Sequence, residues 1–348
     1  MTLFATKALL HTYTATETHA HNYVLQNAYI RTIAHYGSQE DVDLLLSAFL
    51  ENPQSRDQLL GPLMILGDTS TAHTIYNHCL EKEQLIEGVS PSVLHCLGYL
   101  GYTAVEPILL NYAKSGDYTL SRAACFGLLN LPCEGLENEI EEEIKKCFGK
   151  HLFPEFLPAL AIKTNNDDLL EQIYELGNTT ACTDCNGGII LGVALYGVKG
   201  LRLFKEIIWN LRWEADSSST GSNWCLYLGT LCLGIKLSEL YLELKNRLHE
   251  SVNLLHDFSV LSALINRRIE GQYMGLRFIA ENNESYTDLY RAIFIWSDPN
   301  WDDSIIGLAH QILGHGDYEV KILYELERRL ALRVEYEVEV EELEHITR

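Results

Sequence analysis

Few places in this 348-residue chain combine residue types and spacing that could do chemistry. Cys182-Thr-Asp-Cys185, followed by Asn186-Gly-Gly188, sets two thiols three residues apart. Two thiolates at that spacing can contribute to a zinc site, but a closed site needs four ligands. No second Cys-x-x-Cys exists, and no histidine lies near this one in sequence. A thioredoxin-like use of the pair needs a βαβ setting that the flanks do not offer. The expectation is therefore small thiols at a helix start and inter-helix seam, with no metal bound. Gly192-Val-Ala-Leu-Tyr-Gly-Val-Lys199 looks at a glance like a phosphate-binding loop. Val198 separates Gly197 from Lys199, no strand is expected ahead of it, and the Gly-Lys-Ser/Thr needed to reach phosphate and magnesium is missing.

The thirteen histidines offer no better site. His19 and His21 would leave a helix on different sides, His310 and His315 straddle a turn, and His249 and His256 stand seven apart. All read as satisfied core or surface residues. Gly-x-Gly-x-x-Gly, Gly-x-Ser-x-Gly and His-Glu-x-x-His patterns are absent, and carboxylates are too abundant to pair into an acid/base set. The expectation is a protein that is not an enzyme, with no catalytic residue and no cofactor.

The elements that would position any site follow a repeat. A small-residue turn recurs at Tyr36-Gly37, Leu66-Gly67, Leu100-Gly101, Tyr196-Gly197, Leu233-Gly234 and Leu313-Gly314, with degenerate copies near Leu131, Lys163 and Arg267. Successive turns stand 30 to 37 residues apart, except the last, from 267 to 314, which is 47. Within each unit apolar residues recur at helical spacing, as in Val42, Leu45, Leu46 and Phe49 or Ile108, Leu109 and Tyr112. Ser90-Pro91 and Asp117 read as helix starts. A helix pair of about 30 residues cannot bury both its faces, so stacked neighbours must complete the core.

These units resemble HEAT-like repeats, particularly the short variety of phycobilin-lyase-type HEAT proteins. The most typical copy is Leu97 to Leu131, where Ser121-Arg122-Ala123-Ala124 matches the family's usual valine-arginine-alanine-alanine. The resemblance spans about residues 20 to 330 and implies an all-α fold: a right-handed α-solenoid of about nine HEAT-like helix pairs in one domain, 1–348. Residues 1–38 are expected as the N-terminal cap and 39–317 as repeats, with an extra helix near 284–297. Residues 318–348 are expected as an acidic C-terminal cap. The polar stretch Glu214 to Asn223 lengthens one unit. Val334 to Val340 alternates like a strand between strong helix formers, so it reads either as continued helix or as an acidic edge strand.

Composition narrows the partner. Forty-eight acidic against 26 basic side chains leave a net charge of −22, which repels nucleic acid and anionic lipid. The longest apolar run, about Gly187 to Val198, falls short of the ~20 residues a bilayer requires. Nine cysteines, odd in number and mostly in apolar stretches, look like free buried thiols. Met1 to His11 has neither a basic region nor an apolar core of a secretory signal, so a cytoplasmic protein is expected.

Glu134 to Glu143 carries six carboxylates, and Glu335 to Glu344 another six. Read functionally, such faces steer a basic protein into contact. Tyr99, Trp224, Tyr227 and Trp301, with Asp302 and Asp303 beside the last, are candidate partner-binding residues on a concave surface. The expected function is a non-enzymatic binding protein, in its most specific form an inhibitor or immunity-type protein masking a basic toxin or effector. The bland form is an assembly scaffold or chaperone. The phycobilin-lyase resemblance implies a third option, a bilin lyase-like or other ligand-handling enzyme.

Overall fold

The computed structural model describes residues 36–247 except 54, 55 and 181, a few residues before 35, and short pieces between 256 and 277. The expected extra helix near 284–297, the cap at 318–348, the segment 334–340, Trp301, Asp302 and Asp303 lie outside the described residues, as does most of the cap at 1–38.

The described chain is mostly helical. Twelve helices run in order: α1 (Val42–Glu51), α2 (Arg56–Leu66), α3 (Thr69–Cys79), α4 (Ser92–Tyr99), α5 (Glu106–Ala113), α6 (Tyr118–Leu129), α7 (Glu137–Lys145), α8 (Leu169–Thr179), α9 (Asn186–Leu195), α10 (Leu201–Ile208), α11 (Ser222–Leu233) and α12 (Leu237–Arg247). A 3-10 helix, Leu157–Lys163, lies between α7 and α8. The expected glycine turns fall at helix ends: Gly67 follows α2, Gly101 follows α4, Gly197 follows α9 and Gly234 follows α11. The degenerate copies at Leu131 and Lys163 fall at the ends of α6 and of the 3-10 helix. At Gly101, Gly197 and Gly234 the backbone is left-handed (φ 78°, 61° and 62°), a conformation glycine adopts without Cβ strain.

Two compact units divide the chain. The first holds residues up to Lys145, with Lys163–Asn165 and Gly275–Arg277; the second is built on Lys146–Ile162 and Asn166–Met274. In the first unit several helices pack on the next helix but one: α1 on α3, α2 on α4, and α4 on α6. The closest of these contacts has a residue-level cause. A methyl group at Gly98 would overlap the backbone of Gly127, and one at Gly127 would lie 2.8 Å from the Leu94 carbonyl oxygen. Two glycines facing each other let α4 and α6 approach backbone to backbone. Asp117 starts α6 as expected, its carboxylate accepting from the Thr119 and Leu120 amides at 2.9 and 3.0 Å. Ser121 Oγ then donates to the Ala113 carbonyl at 2.8 Å, tying α6 back to α5.

The all-helical expectation meets one local exception. Leu80–Glu81 pairs antiparallel with Gln84–Leu85, Leu80 opposite Leu85. The turn residues Lys82 and Glu83 are both left-handed (φ 49° and 63°), as a two-residue hairpin demands, but neither is the usual Asn or Gly.

In the second unit α9 packs on α11, and α8 and α10 flank α9. Asn186-Gly-Gly-Ile-Ile-Leu-Gly-Val-Ala194 is buried throughout. A helix apolar all round has no solvent face, and must be covered on every side. Gly188 lets it touch the Glu155 and Phe156 backbone, just ahead of the 3-10 helix. Helices α8, α10 and α12 are amphipathic instead and are laced by polar contacts. Lys199 meets Asp167 at 2.5 Å, Arg202 meets Glu171 at 3.4 Å, Tyr174 Oη donates to Glu206 at 3.0 Å, and Lys205 meets Glu243 at 3.1 Å. Such exposed pairs contribute about 0–1 kcal/mol each, so they set register more than stability.

Candidate functional site

Of the expected partner-binding aromatics, Trp301 lies outside the described residues, Tyr99 and Tyr227 are buried, and Trp224 is half-buried. Tyr99 is 6% exposed and Tyr227 is 2% exposed, so both belong to the core. Trp224 is half-buried, its ring edge-on to Phe156 at 6.4 Å. The physical reason is the same for both tyrosines: they lie on α4 and α11, helices whose outward faces are themselves covered. On α11, Asn223 Oδ1 accepts from Arg267 Nε and Nη2 at 3.2 and 2.9 Å.

On α4 and α6 the cover is a distant piece of chain. Gly275 turns (φ 72°) and presents its carbonyl to two donors, His95 Nε2 at 2.7 Å and Asn130 Nδ2 at 2.9 Å. Asn130 Oδ1 in turn accepts from the Arg277 amide at 2.7 Å, and Leu276 is fully buried between them. A carbonyl can only accept, so the proton of His95 sits on Nε2. The imidazole lies against Phe126 (5.6 Å between ring centres) and Tyr99 (6.4 Å). Burial pushes its pKa down to about 4, and the Arg122 guanidinium acts in the same direction against the Gly275 hydrogen bond. Sequence reasoning missed this clasp entirely: its partners stand 145 and 180 residues apart and no local pattern joins them.

A second polar cluster holds the end of α6. Lys163 Nζ donates to the Leu131 carbonyl at 2.6 Å, and the Cys133 amide donates to the buried Glu106 carboxylate at 3.1 Å. Burial lowers the Lys163 pKa, and it raises the Cys133 thiol to about 12. A lysine bound to a carbonyl and a thiol kept protonated are a helix stop, not a nucleophile with its base.

The acidic stretch expected from sequence does form a surface. Helix α7 reads Glu-Asn-Glu-Ile-Glu-Glu-Glu-Ile-Lys, and only Ile140 and Ile144, one turn apart, are buried. Glu134, Glu139 and Glu142 are exposed. Two lysines answer this charge, Lys114 to Glu139 at 2.9 Å and Lys145 to Glu141 at 2.5 Å.

All nine cysteines are free; seven are buried, while Cys182 and Cys232 are half-buried. Among the described residues no group of three or more His, Cys, Asp or Glu side chains could hold a metal ion. No described helix is long and apolar enough to cross a membrane. Comparison with protein-family models, with curated proteins and with solved structures gives no match.

Proposed function

We propose that this protein is a non-enzymatic, protein-binding α-solenoid of HEAT-like helix pairs whose partner is a basic protein. In its most specific form it is an inhibitor or immunity-type protein masking a basic toxin or effector. The observation that carries the reading is the excess of acid on α7, five glutamates against one lysine, on a chain of net charge −22. Opposite charge accelerates encounter and selects the partner, while repelling nucleic acid. Support for the solenoid comes from the packing of α2 on α4, α4 on α6 and α9 on α11, helices next but one in sequence, the way repeat units share their cores. The contact surface is assigned to Glu134, Glu139 and Glu142 and not to the buried Tyr99 and Tyr227.

The test is an affinity pull-down from native lysate at low salt, eluted with a salt gradient and identified by mass spectrometry. The chain and its Glu139→Lys, Glu142→Lys double variant serve as parallel baits. One dominant basic protein at near-equal stoichiometry is expected, eluting from the variant at lower salt. A partner whose elution is the same from both baits, or retention of a coloured or small-molecule species in its place, would overturn the reading.

A further inference from the structure

The Cys182-Thr-Asp-Cys185 pair has a geometry that its sequence context does not suggest. The Cys185 amide donates to the Cys182 carbonyl at 3.3 Å, closing the four residues into one 3-10 turn directly ahead of α9. A turn closed this way holds its end Cα atoms within about 7 Å, close to the separations disulfides span. The two thiols differ in exposure: Cys182 is half-buried, whereas Cys185 is buried and donates its S–H to the Phe153 carbonyl at 3.5 Å. The buried Glu155 carboxylate is close enough to oppose ionisation of Cys185. Two thiols at the ends of one turn, without further ligands, are poorly built for a closed zinc site, but they are placed to oxidise together.

We infer that Cys182 and Cys185 are a dithiol that reacts with a low-molecular-weight disulfide to form an intramolecular disulfide across the start of α9. Cys182, the accessible member, attacks as thiolate. Its new bond to one sulfur of the reagent breaks the reagent's S–S bond and releases a thiolate that takes up a proton. Cys185 then attacks the Cys182 sulfur of the mixed disulfide. The Cys182–Cys185 bond forms, the second reagent thiol leaves, and the proton of Cys185 goes to it. Two protein thiols are oxidised and one disulfide is reduced to two thiols, so atoms and electrons balance. Burial raises the Cys185 pKa to about 12, which makes the second step the slower one and gives the mixed disulfide a lifetime.

The experiment equilibrates the native full chain with oxidised and reduced glutathione at graded ratios, quenches with acid, labels free thiols in denaturant and maps them by mass spectrometry. The wild type is expected to lose labelling at Cys182 and Cys185 together, as a peptide lighter by two hydrogens and restored by dithiothreitol. Cys185→Ser should accumulate a glutathione adduct on Cys182, and Cys182→Ser should take up none at Cys185. Circular dichroism on both serine variants separates misfolding from chemistry. Full labelling of both thiols at every ratio in folded protein would overturn the inference. So would a disulfide from Cys182 to any other cysteine, or a wild-type adduct on Cys182 that never resolves. Zinc that protects the pair until a chelator is added would overturn it too.

Discussion

The His95 clasp makes stability depend on pH between about 6.5 and about 4. In the unfolded chain the imidazole titrates at an ordinary 6.5, and in the folded protein burial against Phe126 and Tyr99 holds it at about 4. Between those values the unfolded state binds more protons, so stability rises with pH. The contribution is fully present above about pH 6.5 and is lost as pH falls toward 4. At pH 5 the unfolded imidazole is almost wholly protonated and the folded one about a tenth so, which gives a loss of about 2 kcal/mol relative to neutral pH. The assay is urea unfolding of the wild type and His95→Gln near pH 7.5 and pH 5. Glutamine keeps an N–H able to reach the Gly275 carbonyl and cannot be protonated. The other twelve of the thirteen histidines cancel in the comparison. The wild type should lose about 2 kcal/mol more than the variant over this interval. Equal losses, or a His95 resonance that titrates near 6.5, would refute the argument that the clasp buries a neutral imidazole.

Three further outcomes can be checked by thermal or urea unfolding. Gly98→Ala places a methyl group into the Gly127 backbone, which cannot move aside as a side chain would, and should cost about 3 kcal/mol by forcing α4 and α6 apart. Glu83→Gly relieves a left-handed glutamate in the hairpin turn and should stabilise by about 0.5–1 kcal/mol; no gain would mean that the Glu83 side chain makes up for the strain. Asp68 caps α3, accepting from the Ser70 and Thr71 amides at 2.9 and 3.0 Å, and Asp68→Ala should cost about 1 kcal/mol at neutral pH. The Ser70 hydroxyl and then the Thr71 amide hold this carboxyl below the ordinary aspartate range. The cost should therefore be present above about pH 4 and shrink as pH falls below it.

The helix ends were legible because a tight connection between packed helices needs a small residue or a helix-stopping one, and the chain spells this out at Gly67, Gly101, Gly197 and Gly234. Even the weak copies at Leu131 and Lys163 fall on element ends. Less legible was the 3-10 form of Leu157–Lys163, which occupies a helix's place between α7 and α8 but carries Pro158 near its start. The hairpin at Leu80–Leu85 lacks the Asn-Gly signal because Lys82 and Glu83 accept the left-handed backbone instead. The clasp of His95 and Asn130 on Gly275 had no local signature at all. Side chains that meet across 145 to 180 residues show up only in three dimensions.

The misplacement of Tyr99 and Tyr227 stems from how each helix layer is covered. A helix with one wet face announces it by a polar stripe, and α7, α8 and α10 do so. Helix α9 has no such stripe, and eight residues of α11 are buried, including Tyr227. Large aromatics there are packing, whatever their spacing. The amphipathic helices are the ones that keep a solvent face, and these differ in charge. Helix α7 has five glutamates against one lysine, with Glu139 and Glu141 paired to Lys114 and Lys145, whereas α10 has two basic residues against one glutamate and engages them in pairs with Glu171, Glu206 and Glu243. Paired charges leave little field to attract anything at a distance, while an unbalanced row does. The electrostatic argument for a basic partner thus rests on the first unit and on α7 within it.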